Sequence, residues 1–182
     1  MATIIGISGS LRRGSFNTAL LRAAVERMPV GSYLRVGKIE AIPLYNGDVE
    51  AEGIPKPVAE LKNAIAESDG LLLATPEYNS SIPGVLKNAI DWLSRPVSDI
   101  KAVFGGKPIA IMGASTGGFG TVSSQNAWLP VLRTLGTKPW FGGRLLVSRA
   151  PSMFDVEGKI TDEALKKQLD QFLQGFIDFI QS

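Results

Sequence analysis

The sequence predicts an α/β fold in which a parallel β-sheet is covered by helices on both faces. Strand-like and helix-like patterns alternate from one end of the chain to the other, as they do in sheets joined by helical crossovers. The strand-like segments are almost wholly apolar, which is typical of strands buried on both faces. With 182 residues, of which 45% are hydrophobic, the chain has the size and composition of a single domain, residues 1–182.

The first elements follow directly from the N-terminus. Residues 3–8 (Thr-Ile-Ile-Gly-Ile-Ser) form a strand, and residues 16–28 form a helix whose apolar side chains recur at helical spacing. Pro29 ends that helix, because proline has no N–H group to continue the hydrogen bonding. Residues 33–39 alternate as a strand at the sheet edge does, and residues 43–48 are predicted as a loop.

The middle of the chain predicts the centre of the sheet. Residues 57–68 form a second helix, and residues 70–75 (Gly-Leu-Leu-Leu-Ala-Thr) form a buried strand. Pro83-Gly84 interrupts the chain before a third helix over residues 85–94.

The last third completes the layers. Residues 108–115 form the fourth strand, and the glycine-rich loop 116–120 leads into a helix that ends near Leu135. Residues 139–147 supply the last strand and residues 162–180 the closing helix. Five strands and five helices in this order predict a flavodoxin-like three-layer sandwich, with a five-stranded parallel sheet in the order 2-1-3-4-5.

In this strand order the first, third and fourth strands are neighbours. The loops that follow Ser8, Thr75 and Ser115 therefore share one rim of the sheet, and all three are rich in polar and small residues. Ligands of open α/β sheets bind at the carboxyl ends of the strands, beside the point where the order reverses. The sequence therefore predicts a ligand site on this rim.

Composition narrows the possible chemistry. The net charge is only +2 and the basic residues are scattered, so no nucleic-acid partner is expected. The chain has no cysteine and no histidine, which excludes thiolate nucleophiles and Ser-His-Asp hydrolysis and makes a metal site unexpected. No catalytic side chain is predicted, and difficult chemistry would have to come from a cofactor.

No signal peptide and no apolar segment of ~20 residues is evident, so the cytoplasm is the expected location and no membrane span is predicted.

The loop after the first strand has the donors that a phosphate monoester needs. Residues 8–17 read Ser-Gly-Ser-Leu-Arg-Arg-Gly-Ser-Phe-Asn, and the next helix directs its free N–H groups and positive dipole end at this loop. The side chains that suit phosphate oxygens are Ser8, Ser10, Arg12, Ser15 and Asn17. A helix cap formed by Ser15 or Asn17 is the simpler alternative, but one cap explains one such residue and not the cluster.

The loop after the third strand suits a flat heterocycle. Pro76 and Pro83 bracket it and hold its backbone amides in few conformations, as recognition of acceptor atoms along a flavin's pyrimidine edge would require. Asn79 adds a donor and an acceptor, and Tyr78 offers a ring. A plain surface turn is the alternative.

The loop after the fourth strand lets a ligand approach the backbone closely. Residues 115–120 read Ser-Thr-Gly-Gly-Phe-Gly, and three of these six residues lack Cβ. The amides of this loop are candidates for the O2/N1 side of a flavin. Phosphate binding is the competing interpretation, but the chain has no Gly-Lys-Ser/Thr sequence of a P-loop.

Two motifs in these loops resemble one known family. The first is Gly9-Ser10-Leu11-Arg12-x-x-Ser15-x-Asn17. The second reads Thr-Pro-Glu-Tyr-Asn at residues 75–79 and continues as Ser-Ile-Pro-Gly-x-Leu-Lys-Asn-Ala-Ile-Asp-Trp at residues 81–92. Together they are similar to the NADPH-dependent FMN reductase family, and most similar to its chromate/quinone reductase branch.

The resemblance implies noncovalent FMN, with NADPH or NADH as electron donor and quinones, free flavin, azo dyes or chromate as acceptors. It assigns the FMN phosphate to Ser10, Arg12, Ser15 and Asn17, and Phe16 is a further cofactor-binding residue. It assigns the isoalloxazine to Pro76, Glu77, Tyr78 and Asn79, with Ser115 and Gly118 opposite. The family commonly forms homodimers or homotetramers, but residues 125–128 read Gln-Asn-Ala-Trp where close relatives carry an arginine or tyrosine network.

The expected reaction is a two-electron reduction in two half-reactions, in which hydride passes from the nicotinamide to flavin N5 and then to the acceptor. The alternative is a flavodoxin-type carrier that passes single electrons to a partner protein. Such carriers are usually acidic, whereas this chain is slightly basic. For Arg13 two interpretations stay open, contact with the phosphate or exposure to water.

Overall fold

The structure, a computed structural model, describes residues 1–182, and its centre is a parallel sheet of six strands. These are β1 (Ala2–Ser8), β2 (Ser32–Gly37), β3 (Gly70–Ala74), β4 (Pro108–Ala114), β5 (Lys138–Pro139) and β6 (Leu145–Val147). Their order is β2-β1-β3-β4-β5, with β6 also paired to β4. The predicted flavodoxin-like order is confirmed, and β1, β3 and β4 end beside one another.

Seven α-helices connect or flank these strands. They are α1 (Phe16–Glu26), α2 (Gly47–Glu52), α3 (Lys56–Ala66), α4 (Gly84–Leu93), α5 (Ile100–Val103), α6 (Val122–Thr134) and α7 (Glu163–Gln181). None of them combines the length and the apolar character that crossing a bilayer requires.

The prediction of a loop over residues 43–48 is wrong for its last two residues, because α2 begins at Gly47. Asn46 starts the helix by accepting the N–H of Asp48 with its side-chain oxygen at 2.9 Å. The helix is only six residues long and has no buried residue. It therefore lacks the apolar periodicity on which the sequence prediction depends.

The prediction of one continuous strand over residues 139–147 is also wrong. β5 and β6 both pair with β4, but residues 140–144 between them leave the sheet. The indole of Trp140 packs instead on α7, with its ring centroid 5.1 Å from that of Phe172. Gly142 and Gly143 lie against this indole, where an added Cβ would come within 2.5 Å and 2.7 Å of it. Packing of this partly buried indole on α7 thus accompanies the break in the strand.

Both faces of the sheet are covered, as its apolar strands predict. α1 and α7 pack on one face, where Leu20 and Phe176 are fully buried. On the other face α3, α4 and α6 surround the fully buried Trp92 and Trp128. Within β1, Ile4 belongs to the first core and Ile5 to the second. The side chains of the rim loops are therefore carried by strands and helices that are fixed from both sides.

Lys62 of α3 holds the segment before α5 against the helix layer, and this contact predicts a pH effect. Its ammonium group donates to the Asp99 carboxylate at 2.7 Å and to the Arg95 carbonyl at 2.8 Å. The bond from Lys62, followed by one from the Ser98 hydroxyl, holds the pKa of Asp99 below its ordinary value. A lowered carboxyl pKa stabilises the fold above about pH 4, and this contribution is lost as the pH falls through the folded-state value.

We therefore expect Asp99→Asn to flatten the dependence of the unfolding free energy on pH below about pH 4. Urea unfolding between about pH 6 and pH 2.5 measures this dependence. Asp48→Asn is the control, because Asp48 is exposed and makes no ion pair. An Asp99→Asn curve parallel to the wild-type curve over the acid range would contradict the prediction.

Candidate functional site

The three rim loops meet around a cleft of about 240 Å³. Its lining consists of Ser10, Arg12, Ser15, Phe16, Asn17, Pro76, Glu77, Tyr78, Ala114, Ser115 and Thr116. The sequence-predicted site residues are in this lining except Ser8, Asn79 and Gly118, and Ser8 lines the opposite side of the first loop. The cleft therefore lies at the carboxyl ends of β1, β3 and β4, on the predicted rim.

The N-terminus of α1 supplies free donors to this cleft. Ser15 caps the helix, since its hydroxyl oxygen accepts the N–H of Thr18 at 3.2 Å. The N–H groups of Phe16 and Asn17 have no acceptor within the protein. The Ser15 hydroxyl proton is also free to donate, and Arg12 is in no ion pair. The helix cap and free donors that suit an anion thus occur together here, so the two interpretations of Ser15 do not exclude each other.

Asn17 has a structural contact that the sequence did not indicate. Its side-chain amide donates to the Ala114 carbonyl at 2.8 Å, and its side-chain oxygen accepts the Ala114 N–H at 2.9 Å. These two bonds fasten the start of α1 to the end of β4. The donors that Asn17 retains for a ligand are its backbone N–H and one amide hydrogen.

Gly9 allows the first two loops to lie against each other. Its N–H donates to the Ala74 carbonyl at 2.8 Å. A Cβ at this position would be 2.9 Å from side-chain atoms of both Pro76 and Leu86. Any larger residue would therefore push the first loop away from the second.

The second loop turns back sharply beyond the cleft. Tyr78 and Ser81 exchange backbone hydrogen bonds of 3.2 Å and 3.0 Å, and the two residues between them have positive φ, 51° at Asn79 and 57° at Ser80. Positive φ at both central residues is typical of a tight two-residue turn of type I′. Asn79 consequently lies at an exposed tip outside the cleft lining, so a turn and a binding wall occur in the same loop.

Glu77 connects the second loop to α6. One of its carboxylate oxygens accepts the N–H groups of Ser123 and Ser124 at 2.8 Å and 3.0 Å. Thr121, at the N-cap position of α6, makes no such bond itself. The carboxylate therefore serves as the cap of a helix that begins 45 residues later in the chain, and no local pattern indicates this.

We expect Glu77→Ala to lower the free energy of unfolding by about 1–2 kcal/mol, because it removes a helix cap and a charge at the positive end of the α6 dipole. Glu77→Gln keeps a side-chain oxygen as acceptor and should lose less than half as much. Urea unfolding of the FMN-free protein measures both losses. A Glu77→Ala protein as stable as the wild type would show that this cap is dispensable.

The third loop is fixed at its start and open at its tip. The N–H of Ser115 donates to the Val147 carbonyl at 2.9 Å, and the N–H of Arg149 donates to the Gly117 carbonyl at 2.9 Å. Gly118 is exposed, and an added Cβ there would have no neighbour within 4 Å. The structure thus brings Ser115 into the cleft and leaves Gly118 beyond its lining.

Behind these loops lies a buried polar cluster that the sequence analysis missed. The Thr75 hydroxyl is 2.9 Å from the Ser124 hydroxyl and accepts the indole N–H of Trp128 at 3.1 Å. All three side chains are fully buried. Their contacts join the end of β3 to α6, so they fix the relative position of the second and third loops.

The sequence model of the NADPH-dependent FMN reductases matches residues 2–152 of the chain, which include all three loops. The chain belongs to this family. The family prediction is thereby confirmed, and with it an oxidoreductase that uses FMN and an NAD(P)H donor.

Relatives of this FMN reductase family match it along nearly its whole length. An NAD(P)H-dependent FMN reductase of Pseudomonas aeruginosa is 44% identical over 94% of this chain and 91% of its own. A 2-hydroxy-1,4-benzoquinone reductase of a Burkholderia species is 37% identical over 96% of this chain and 94% of its own. Among solved structures, an NAD(P)H:acceptor oxidoreductase flavoenzyme of Paracoccus denitrificans has a TM-score of 0.89 and 33% identity, covering 100% of this chain and 98% of the other.

The residues of this FMN reductase fit its cofactor. A phosphate monoester needs several donors at one point, and the cleft offers two free N–H groups at the start of α1, the Ser15 hydroxyl and the uncommitted guanidinium of Arg12. No carboxylate competes for them, because the one carboxylate in the lining, that of Glu77, already accepts two N–H groups of α6.

Proposed function

We propose that this protein is an FMN-dependent NAD(P)H oxidoreductase that reduces quinones by two electrons. The proposal depends on one observation, the cleft in which the free N–H groups of Phe16 and Asn17 lie beside the second and third loops. The names of the matching relatives support quinones and FMN as acceptors. Chromate and azo compounds are further acceptors in this proposal, as expected for the quinone-reductase branch.

In this proposal the first loop binds the FMN phosphate through Ser10, Arg12 and Ser15 and through the backbone at Phe16 and Asn17. The second loop would line the isoalloxazine through Pro76, Glu77 and Tyr78, with Ser115 opposite. Asn79 and Gly118, which lie at the exposed tips of the second and third loops, would contact the edge of the ring from outside the cleft lining. FMN held there would supply the two-electron chemistry between the NAD(P)H donor and the acceptor. The residues of the chain bind and orient the reactants.

No side chain is assigned as a general acid or base. The chain has no histidine or cysteine, and the carboxylate of Glu77 is committed to the N-terminus of α6. In this proposal, N–H groups of the second and third loops would stabilise the negative charge that reduction adds at the ring. Hydrogen bonds between the loops keep these N–H groups in place, so the loops need not rearrange during the reaction. These bonds join Gly9 to Ala74, Asn17 to Ala114 and Glu77 to α6.

A visible absorption spectrum of the purified protein, followed by anaerobic NADPH, tests the proposal. We expect flavin bands that bleach on addition of NADPH and return when a quinone is added. FMN-loaded protein that does not oxidise NADPH or NADH with a quinone present would overturn it. Reduction in two separate one-electron steps would favour the electron-carrier alternative.

The proposal includes a single FMN-binding domain over residues 1–182, a homodimer or homotetramer, and a cytoplasmic location. The third loop and the segment between β5 and β6 leave apolar surface for a second copy, with Phe119 84% and Phe141 72% exposed. Light scattering at micromolar concentration distinguishes a monomer from either assembly.

A further inference from the structure

A second cleft lies on the other side of the first loop and has a volume of about 490 Å³. It is bounded by residues of that loop, by the exposed side of α1 and by the chain from the end of β2 to Glu40. Ser10 and Arg12 line both clefts, so one wall separates this cleft from the FMN site. Its size is within the range of small-molecule sites.

The charge of this second cleft is strongly one-sided. Four cationic side chains line it, those of Arg12, Arg13, Arg22 and Lys38, against the single carboxylate of Glu40. All four are exposed, and none is in an ion pair. Even with Arg12 assigned to the FMN phosphate, three unpaired cations remain against one carboxylate. On a chain whose net charge is only +2, this is a local excess that attracts anions.

The cleft is not only a charged surface. Leu21 and Ile39 are buried beneath it, and the side chain of Val36 is 50% exposed beside it. The hydroxyls of Ser8 and Thr18 face each other at 2.8 Å in the same lining. Apolar area next to cations suits a ligand that has both an aromatic base and phosphate groups.

We propose that this cleft binds the phosphorylated adenosine half of NADPH, with Arg22 and Lys38 reading the 2′-phosphate. The inference rests on the proposed function, since the nicotinamide half must then reach the adjoining FMN cleft across the wall formed by Ser10 and Arg12. NADPH differs from NADH only by the 2′-phosphate, and dinucleotide enzymes accommodate that group with a nearby cationic side chain. The proposal also gives Arg13 a role in binding this ligand, because Arg13 lines this cleft and not the FMN cleft.

Calorimetry on the FMN-loaded protein with adenosine 2′,5′-bisphosphate and with 5′-AMP tests the site without turnover. The variant is Arg22→Ala combined with Lys38→Ala. The control is Arg35→Ala combined with Arg133→Ala, which removes the same charge from exposed positions outside both clefts. We expect the variant to lose about tenfold or more in affinity for the bisphosphate and less than about twofold for 5′-AMP, while the control binds both as the wild type does.

A wild type that does not bind the bisphosphate, a variant that binds it unchanged, or equal losses for both ligands would each overturn the proposal. Turnover gives an independent readout: the KM for NADPH should rise about tenfold or more in the variant, with kcat and the KM for NADH within about twofold of wild type. If neither donor bleaches the flavin, the proposed function fails, and the calorimetric comparison still decides whether the cleft reads a 2′-phosphate.

Discussion

Replacing Ser15 with aspartate is expected to weaken FMN binding by at least about a hundredfold. Ser15 is 5% exposed and caps α1 inside the cleft. Aspartate caps a helix as well as serine does, so α1 should remain formed. Its carboxylate, however, would stand next to the phosphate dianion, and two like charges about 4 Å apart repel by about 4 kcal/mol at an effective dielectric constant of about 20. That energy corresponds to about three orders of magnitude in affinity.

Ser15→Asn is the matched control, because asparagine has nearly the same shape, also caps helices and carries no charge. Quenching of FMN fluorescence on titration with the FMN-free protein measures both affinities, and circular dichroism shows whether α1 and the fold persist. We expect the asparagine variant to bind FMN within about tenfold of the wild type. Equal affinities for the aspartate and asparagine variants would mean that the phosphate does not lie at the start of α1.

The strand order and the positions of the three loops could be predicted because local patterns determine them. The run Gly-Leu-Leu-Leu-Ala at residues 70–74 is too apolar and too short to be anything but a buried central strand, and it is β3. Motif residues such as Ser10, Arg12 and Ser15 follow β1 directly, so the strand order alone brings them to the rim.

The cross-links between the loops could not be predicted, because they join residues far apart in the chain. Asn17 bonds to Ala114 across 97 positions, and Glu77 bonds to Ser123 across 46. Each of these side chains has the same sequence signal whether it contacts a ligand or the backbone of another loop. The sequence therefore indicated that Asn17 and Glu77 belong to the site but not that they brace it.

The division of the last strand was missed for a related reason. Residues 139–147 contain enough apolar side chains for one strand, but Trp140 packs its partly buried indole on α7, which begins more than 20 residues later. Tertiary packing of one large side chain outweighed the local preference for extended structure. Only Gly142 and Gly143, which make room for the indole, were a signal in the sequence that the strand is interrupted.

Gly113→Ala is expected to cost about 3 kcal/mol of folding free energy. Gly113 is in β4, just before the third loop, and an added Cβ would clash with the Thr75 carbonyl oxygen and with the Thr121 hydroxyl. Thr75 and Thr121 are both fully buried, and the backbone of Thr75 is held to β4 because its N–H donates to the Met112 carbonyl at 2.8 Å. Neither can move aside without shifting the second loop or the start of α6, so the strain is large for a single methyl group.

Gly118→Ala is the control for this change, because an added Cβ at Gly118 has no neighbour within 4 Å. This substitution should change the free energy of unfolding by less than about 0.5 kcal/mol. Urea unfolding of both variants without FMN gives the comparison. A loss below about 1 kcal/mol in Gly113→Ala would mean that the loops yield easily. The hydrogen bonds between the loops would then not keep the cleft rigid. Its N–H groups would not be preorganised, although the proposed catalysis requires them to be.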